Sequence, residues 1–391
     1  MMHQQTAVIK EQAEKNSEFL PDYYQYYDIL SRHLGCRIEE TAFNKKAVYP
    51  RQLEIHLGND SGRPCNLQCK HCQGSELQKE MTDVSEFVIR LIHNLKGKIP
   101  FYIFGGLYSE PLKNSNIINI IRSIKKYGSN FGIHTKGTLL WTLHKKKGFI
   151  EQLYTLSDCN DYLSVSIDSG FAESFSKTKN ASPKLFDNII KALEIIKGLR
   201  KSDSKKKFVL RLTYLLNEHN SDPRELMNII AIAKQMQVDS LRFSVPYHFF
   251  GRTVNDCKIY RDNYETPMYN FVRPVLEPYL TNNMGEKPQF ALMSPDHQDI
   301  YKLSFSHCFF GYYQITLGVD GYFYRCSSCA SPSFSHIRLG KATDSVERFE
   351  WVLLMNQRES FNPQKMCFPR HARCNRIATE INSVTEIRKY G

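Results

Sequence analysis

Residues 52–72 read QLEIHLGNDSGRPCNLQCKHC, and this stretch decides the fold that we expect for the chain. Its first six residues have the composition of a β-strand, and three cysteines follow at C-x3-C-x2-C spacing. Three soft thiolate ligands in one loop indicate an iron–sulfur cluster. Since a cubane has four irons, a loop that ligates three of them leaves the last iron open to bind a small molecule. The loop therefore predicts a catalytic cluster.

Strand-like runs alternate with amphipathic helical stretches beyond this loop, and this alternation predicts a parallel α/β sheet. The predicted strands are Leu53–Leu57, Phe101–Phe104, Phe131–Thr135, Tyr162–Ile167, Phe208–Leu215 and Ser240–Val245. The predicted helices include Ser85–Leu95, Ser115–Tyr127, Pro183–Leu199 and Pro223–Met236, each of which begins at Ser or Pro. Six such units make a partial (β/α)6 TIM-like barrel, whose chemistry gathers at the carboxyl ends of the strands.

The spacing of Cys65, Cys69 and Cys72, with the aromatic His71 before the last thiol, resembles the signature of the radical S-adenosylmethionine (radical SAM) superfamily. Structural zinc sites more often pair C-x2–4-C units at a distance, so the spacing favours the cluster over zinc. The resemblance implies a [4Fe-4S] cluster that binds S-adenosylmethionine, and an electron donor such as flavodoxin or ferredoxin. It also implies reductive cleavage to a 5′-deoxyadenosyl radical that abstracts hydrogen from the substrate.

The segment after the second predicted strand is similar to the Gly-Glu-Pro element with which this family contacts the methionine amino group. Gly105 and Gly106 allow backbone to approach a ligand closely, and the carboxylate of Glu110 can pair with an ammonium group. Ser109 replaces the glycine that normally precedes the glutamate, and we include it among the predicted cofactor contacts. A surface turn with a solvated glutamate is the alternative.

The ends of the third and fourth predicted strands supply further candidates. Residues 134–138 resemble the Thr-Asn-Gly turn of the family, with Lys136 in place of the asparagine. Alternation along the fourth strand puts Ser164, Ser166 and Asp168 on one face. The resemblance implies that Ser166 and Asp168 contact the nucleoside or the substrate, and a simple polar strand end is the alternative.

Arg211, on the fifth predicted strand, is flanked by apolar residues, so we expect a buried guanidinium group that needs an anionic partner. The carboxylate of S-adenosylmethionine is one such partner, and a core carboxylate is the other. Asn220 and Arg242 are weaker candidates of the same kind. We therefore place Arg211 among the predicted cofactor-binding residues.

A second group of cysteines lies in the tail, where Cys308-x12-Gly321-x4-Cys326 resembles the opening of the SPASM and Twitch auxiliary-cluster domains. Tyr313–Leu317 and Tyr322–Tyr324 predict a β-hairpin around residues 319–321 that brings those two thiols together. The number of closing cysteines fits the one-cluster Twitch arrangement better than a full SPASM domain. The resemblance implies a second, auxiliary [4Fe-4S] cluster.

That cluster needs four ligands. We assign them to Cys308, Cys326, Cys367 and Cys374, with Cys329 as the substitute. A zinc knuckle is the alternative for this tail.

Three cysteines remain, Cys36, Cys159 and Cys257, and free cysteines are by default small buried hydrophobic residues. Cys257 has a second interpretation, since epimerases of this family donate a hydrogen atom to the substrate radical from a cysteine. It is our predicted catalytic residue.

Pattern and composition predict the division of the chain. Residues 1–48 form an N-terminal helical extension, residues 49–255 the partial barrel, residues 256–304 a linker, and residues 305–391 a small auxiliary-cluster domain with a β-hairpin and helix. The linker is predicted because the alternation of strand-like and helical stretches weakens there. It is also rich in prolines, which include Pro267, Pro274, Pro278 and Pro288.

Composition narrows the class and compartment of the protein. The 391 residues contain eleven cysteines, no apolar run long enough to span a membrane and no apolar core of a signal peptide near Met1. We therefore expect a cytoplasmic protein that commits many thiols to metal. The net charge of +12 favours an anionic small-molecule substrate, whereas nucleic acid is disfavoured because aromatic residues do not interleave with the short basic runs.

The sequence therefore predicts a radical SAM oxidoreductase. We expect it to dehydrogenate or epimerise a sugar, cyclitol or nucleotide-type intermediate in natural-product biosynthesis. A radical SAM peptide maturase is the enzymatic alternative. From another class, a zinc-stabilised protein that binds a polyanion remains open.

Overall fold

The computed structural model describes residues 25–38, 40–41, 48–59, 65–69, 72, 81–106, 109–203, 208–245, 259–280, 287–293, 307–330, 332–342, 347–358, 381–382 and 384–385. The chain divides into two compact units. The first comprises Met1–Arg51, His297–Ile315 and Glu347–Gly391, and the second comprises Gln52–Asp296 and Thr316–Val346. These units divide the chain differently from the predicted boundaries, because residues 316–346 belong to the same unit as the predicted barrel.

One mixed sheet dominates the second unit. Its strands are β1 Gln52–Ile55, β2 Phe101–Phe104, β3 Asn130–Thr135, β4 Tyr162–Ser166, β5 Val209–Leu215, β6 Ser240–Ser244, β7 Gln289–Met293, β8 Gln314–Leu317, β9 Tyr322–Tyr324 and β10 Gly340–Lys341. Their spatial order is β10-β9-β8-β1-β2-β3-β4-β5-β6-β7. From β1 to β7 every neighbouring pair is parallel, whereas β9 is antiparallel to β8 and β10.

Helices follow the strands in the α/β alternation that the sequence predicts. They are α1 Gln25–Leu34, α2 Ser85–Leu95, α3 Ile117–Lys126, α4 Leu140–Lys147, α5 Phe149–Leu156, α6 Ala172–Lys179, α7 Lys184–Ser202, α8 Pro223–Gln235, α9 Thr266–Leu280, α10 Phe310–Tyr313 and α11 Arg348–Arg358. The predicted α/β fold class is confirmed, and within the described strands hydrogen bonds do not close the sheet into a complete barrel.

One face of the parallel strands, the outer face, is apolar and covered by helices. Helix α3 contacts β3 and helix α8 contacts β6 on this side. Its buried side chains are Leu53, Ile55, Tyr102, Phe104, Phe131, Ile133, Leu163, Val165, Leu210, Leu212, Leu241 and Phe243. Burial of this apolar surface is the main stabilising contribution to the fold.

The opposite face, which we call the inner face, is largely polar and most of it is half-exposed or exposed. Because side chains alternate along a strand, residues paired in register share a face. The register places Glu54, His134, Tyr162, Ser164, Ser166, Arg211, Thr213, Ser240 and Arg242 on the inner face. The two sides of this sheet thus differ sharply in polarity.

The predicted linker contains a helix and a seventh parallel strand where the structure describes it. Helix α9 buries Val272, Leu276 and Leu280, one turn apart, whereas Pro274 and Pro278 lie on its exposed side. Water can hydrate the carbonyl groups that these prolines leave without a helical partner. This part of 256–304 therefore forms regular secondary structure, because the apolar stripe outweighs the proline signal, while its predicted role as a linker stays a prediction.

The predicted hairpin in the tail is present as β8 and β9, with Leu317 opposite Phe323. Gly321 has a φ of 77°, a left-handed conformation that glycine adopts without strain. The amide of His56 donates to the carbonyl of Leu317 over 2.9 Å, so the hairpin extends the sheet beside β1. The sequence did not predict this addition to the sheet.

In the first unit, side-chain amides hold separate segments together. The side chain of Gln357 on α11 bonds both the amide and the carbonyl of Val48, at 3.0 and 2.8 Å. The side chain of Asn382 accepts from the amide of Phe309 over 2.6 Å. Among the described residues of the chain, no helix is long and apolar enough to cross a membrane.

Candidate functional site

The three cysteines of the opening motif lie in the loop after β1, and each is half-buried. The amide of Cys72 donates to the carbonyl of Cys69 over 3.0 Å, which forms a turn between these two residues. The side chain of Asn66 donates to the hydroxyl of Thr138 over 2.9 Å, so the loop is anchored to the turn that follows β3. The loop therefore lies at the carboxyl edge of the parallel strands.

The electrostatic surroundings of this loop show that the thiols are close to one another. Burial raises the pKa of the Cys69 thiol, and Asp168, Cys72 and Cys65 act in the same direction. The positive charge of Lys179 opposes them. Metal binding at this loop must displace protons, because only thiolates ligate.

This donor set fits an iron–sulfur cluster. Among the described residues, no three His, Cys, Asp or Glu side chains converge on the position of a single metal ion. In a cubane each cysteine ligates a different iron, so the three thiols do not need to meet at one point. Cys65, Cys69 and Cys72 are the residues that would hold the cluster.

A buried ion pair between Lys179 and Asp168 lies within electrostatic range of the cysteine loop. Lys179 ends helix α6, and Asp168 follows β4 with a φ of 51°. The second oxygen of Asp168 accepts from the amide of Leu215 over 2.7 Å. Both carboxylate oxygens of Asp168 are therefore engaged by the protein, and its predicted contact to nucleoside or substrate stays a prediction.

Glu110 is almost completely buried and joins the segment after β2 to the turn after β3. Its carboxylate accepts from the amides of Leu112 and Lys136 and from the hydroxyl of Thr135, at 3.2, 2.8 and 2.6 Å. Lys136 also donates from its ammonium group to the carbonyl of Ser109 over 2.9 Å. The structure therefore gives Glu110 an organising role at this edge, while its predicted contact to the methionine amino group stays a prediction.

Gly105 and Gly106 make room for two imidazole rings. A Cβ at Gly105 would lie 2.9 Å from the Cβ of His134, and one at Gly106, where φ is 112°, would overlap the ring of His56. Ser109 donates its hydroxyl proton to the carbonyl of Gly105 over 2.7 Å. The glycines are thus required by packing as well as suited to a close cofactor approach.

His56 is completely buried, directly after β1. Its Nε2 donates to the carboxylate of Glu54 over 2.8 Å, while its Nδ1 has no hydrogen-bond partner among the described residues. A buried nitrogen without a partner is costly, so it marks a place where a ligand or water can bond.

His134 and Tyr162 form the centre of the inner face. The Nε2 of His134 and the hydroxyl of Tyr162 are joined by a 2.8 Å hydrogen bond. The pKa of His134 is lowered to about 4, chiefly by burial, with Arg242 and Arg211 acting in the same direction and Glu54 opposing them. His134 is therefore neutral near pH 7.

Arg211 is exposed on the inner face rather than buried, so the expectation of burial is wrong. Its apolar neighbours on the strand, Leu210 and Leu212, point to the outer face, since side chains alternate. The guanidinium group stacks on the ring of Tyr162, with 4.3 Å from Cζ to the ring centroid. Its predicted contact to the cofactor carboxylate stays a prediction.

Asn220 has a structural role in the described chain. Its side chain donates to the carbonyls of Asp168 and Leu215, each over 2.8 Å, and accepts from the amide of Asn217 over 2.6 Å. These bonds connect the end of β5 to the segment after β4. The function of Asn220 as an anion ligand therefore has no support in its contacts.

The tail cysteines are only partly described. Cys326 and Cys329 are buried with their sulfur atoms 3.7 Å apart. In the other unit, Cys308 is half-buried and its sulfur lies 3.6 Å from the side-chain nitrogen of Asn382. Cys367, Cys374 and the candidate hydrogen donor Cys257 lie outside the described residues.

Two of the three remaining cysteines differ from the default of buried hydrophobic residues. Cys159 is exposed in the turn before β4, because polar neighbours surround it there. Cys36 is half-buried, with its sulfur 2.9 Å from the hydroxyl of Thr41.

Sequence comparison identifies the class of domain that carries this site. Residues 61–230 match the radical SAM superfamily, a family of enzymes, and this range contains the cysteine loop and strands β2 to β5. The chain therefore contains a radical SAM domain. No curated protein matches the chain.

Among solved structures, the fold is similar to that of SuiB from Streptococcus suis. The structure of SuiB bound to the precursor peptide SuiA is 14% identical, with a TM-score of 0.56 over 82% of this chain and 68% of that chain. SuiB bound to S-adenosylmethionine is 13% identical, with a TM-score of 0.55 over 91% of this chain and 78% of that chain. At these identities the likeness shows a shared fold.

Sequence reasoning missed Lys179, His56 and His134 as parts of the site. His56 carries a weak signal, since it is a polar residue between the apolar Ile55 and Leu57, whereas Lys179 lies in a mostly polar helix and carries none. His134 enters the sequence prediction only as part of a turn. Their convergence depends on strand register, which no local motif specifies.

Proposed function

We propose that this chain is a radical SAM enzyme in which Cys65, Cys69 and Cys72 hold a [4Fe-4S] cluster that binds S-adenosylmethionine. When bound, the reduced cluster and S-adenosylmethionine together supply a 5′-deoxyadenosyl radical that can abstract hydrogen from an unactivated carbon. The observation that carries the proposal is the three-thiol loop at the carboxyl edge of the parallel strands, inside the range that matches the family. An electron donor such as flavodoxin or ferredoxin is part of the proposal.

The protein's own residues organise the site around this loop. Glu110 ties the segment after β2 to the turn after β3, and Asn66 ties the loop to the same turn. His134, held neutral near pH 7, and His56 place imidazole rings beneath the two glycines. This preorganisation supports cofactor binding at the strand ends.

For the substrate, we infer a small anionic molecule of the sugar, cyclitol or nucleotide type, which the enzyme dehydrogenates or epimerises. A polar inner face with two exposed arginines supports a polar, anionic substrate. For epimerisation, Cys257 is the proposed hydrogen donor. A buried pair of thiols, Cys326 and Cys329, supports a second cluster that removes an electron from the substrate radical, which favours dehydrogenation.

A peptide maturase is the second candidate, and the fold shared with SuiB bound to its precursor peptide favours it. The two candidates differ in what stimulates 5′-deoxyadenosine formation. Nucleotides and sugar phosphates should stimulate it under the first proposal, and peptides encoded beside this coding region should do so under the second. Mass spectrometry of the stimulating compound would then show loss of two hydrogens or an unchanged mass.

We infer a cytoplasmic location, because a chain of eleven cysteines that commits many of them to metal suits a reducing compartment. Attachment of a secretion signal that forces export to an oxidising compartment should abolish cluster assembly.

The central experiment replaces each loop cysteine. Cys65→Ala, Cys69→Ala and Cys72→Ala should each reduce formation of 5′-deoxyadenosine from S-adenosylmethionine and dithionite to background, because three ligands are needed to leave one iron open. Cys159→Ala, an exposed thiol away from the loop, is the matched control and should keep full activity. Activity in the loop variants would refute the proposal, as would a colourless protein with stoichiometric zinc.

A further inference from the structure

The inner face is unusual for a parallel sheet. Such sheets are normally covered on both faces and rich in aliphatic residues throughout. Here the outer face follows that rule, whereas the inner face carries charged and hydroxyl side chains, several of them half-exposed. A polar, accessible sheet face inside an α/β unit is a surface on which a polar ligand can bind.

Two exposed arginines lie next to each other on this face. Arg211 on β5 pairs in register with Ser240 on β6, and Arg242 lies two residues further along β6. With strands about 4.8 Å apart and a rise of about 3.3 Å per residue, the two Cα atoms are about 8 Å apart. Side chains of this length can converge on a single anion from that separation.

A pair of hydroxyl groups lies next to the two arginines. Thr213 is two residues after Arg211 on the same face and directly opposite Arg242. Its hydroxyl is 2.9 Å from that of Ser166 on β4. A ligand between the two guanidinium groups would therefore meet hydroxyl groups that can donate to its oxygen atoms.

The surrounding charges preserve the positive character of this site. The Arg211 guanidinium lies over the aromatic ring of Tyr162, and His134, whose pKa burial lowers to about 4, is neutral near pH 7. Glu54, on the same face, accepts a hydrogen bond from His56, and Asp168, after β4, is paired with Lys179. Both of these carboxylates thus have a bond to a side chain other than the two arginines.

We propose that Arg211, Arg242 and Thr213 form a subsite for an oxyanion of the substrate, either a phosphate ester or a carboxylate. This inference rests on the proposed function only in taking the inner face as the place where the substrate lies. It changes the expected ligand of Arg211, which the sequence assigns to the carboxylate of S-adenosylmethionine. Bidentate guanidinium bonds suit either oxyanion.

The test measures binding of simple anions to the holoenzyme. Inorganic phosphate and succinate are titrated separately, at constant ionic strength set with chloride, and the rise in unfolding temperature gives an apparent Kd for each. The double variant Arg211→Gln/Arg242→Gln should weaken binding of at least one anion about tenfold or more, since each charged hydrogen bond contributes strongly. Which anion loses affinity distinguishes a phosphate ester from a carboxylate.

Two controls make the result specific. Arg90→Gln/Arg273→Gln removes the same charge from helix surfaces, where each arginine pairs with a glutamate one turn away, and should leave both Kd values unchanged. If the double glutamine variant does not fold, Arg211→Lys and Arg242→Lys are used instead. Each keeps the positive charge but lacks the planar guanidinium group that donates two parallel hydrogen bonds, so each should still weaken anion binding.

The subsite would be overturned if, for each anion, the variants of Arg211 and Arg242 bound it with the same Kd as the wild type. The subsite would also be overturned if these variants lost affinity for S-adenosylmethionine but not for the anions. Arg211 would then be a ligand of the cofactor carboxylate. Failure of the radical SAM assignment would be seen separately, because the cysteine variants would then keep the 5′-deoxyadenosine formation of the wild type, whatever the anion affinities are.

Discussion

At the scale of single residues, burial decides which groups carry charge. His134 combines a half-buried ring, a bond to Tyr162 and nearby arginines, and its pKa is lowered to about 4. Lys179 and Asp168 instead form a buried ion pair, and although burial lowers the pKa of Lys179, Asp168 and the thiols of the cysteine loop together raise it more. The chemistry of the site therefore depends on pairings that follow from the fold.

His134 should make stability depend on pH. Because its pKa falls from 6.5 in the unfolded chain to about 4 in the folded chain, its contribution is complete above pH 6.5 and is lost as the pH falls towards 4. Urea unfolding across this range should show the wild type losing on the order of 2 kcal/mol more than His134→Gln. Parallel pH profiles of the two proteins would contradict the argument.

The buried ion pair gives a second prediction. Lys179→Met should lower the free energy of unfolding by about 3 kcal/mol, because it leaves the carboxylate of Asp168 buried without its cation. Lys177→Met, at an exposed position on the same helix, should change it by less than about 0.5 kcal/mol. Denaturant unfolding of both variants measures the difference, and equal effects would show that the pair has no special role.

At the scale of elements, the segment between β2 and the 3-10 turn Pro111–Lys113 must pass close to two imidazole rings. A positive φ at Gly106 and the ring of His56 both exclude a side chain there. Helix α7 offers a contrast, because Gly198 lies exposed within it and a methyl group added there would meet open space.

These two glycines should respond in opposite directions to alanine. Gly106→Ala should cost about 2 kcal/mol or more of stability, from overlap with His56 and from backbone strain. Gly198→Ala should add about 0.5 to 1 kcal/mol, because alanine favours a helix interior. Thermal and urea unfolding test both, and a neutral Gly106→Ala would mean that His56 can move aside.

At the scale of the whole molecule, the cysteine content permits more than one cluster. Fully reconstituted wild-type protein should contain about eight irons per chain, and Cys65→Ala/Cys69→Ala/Cys72→Ala should keep about four. Adding Cys326→Ala and Cys329→Ala to this triple variant should remove the remaining irons. Iron and sulfide analysis measures this, and about four irons in the wild type would reject the second cluster.

Local patterns were enough to predict most strands and helices. Strands β2 and β9 and helix α2 have the predicted bounds, and the other predicted strands differ at their ends by one or two residues. The sequence does not predict helix α9 and strand β7, because the prolines of this segment are typical of loops. In the structure, the prolines on α9 lie on its exposed side. Short-range periodicity predicts elements well because it reports which side chains are buried.

The sequence by itself determined the spacing of the three loop cysteines and the α/β class, since both follow from residues close together in the chain. Only the tertiary structure decided that Arg211 is exposed, that Lys179 approaches the cysteine loop, and that the hairpin of β8 and β9 extends the sheet beside β1. These features depend on strand register and on which helix covers which face. They arise from contacts between residues far apart in sequence, where packing rather than local preference decides the outcome.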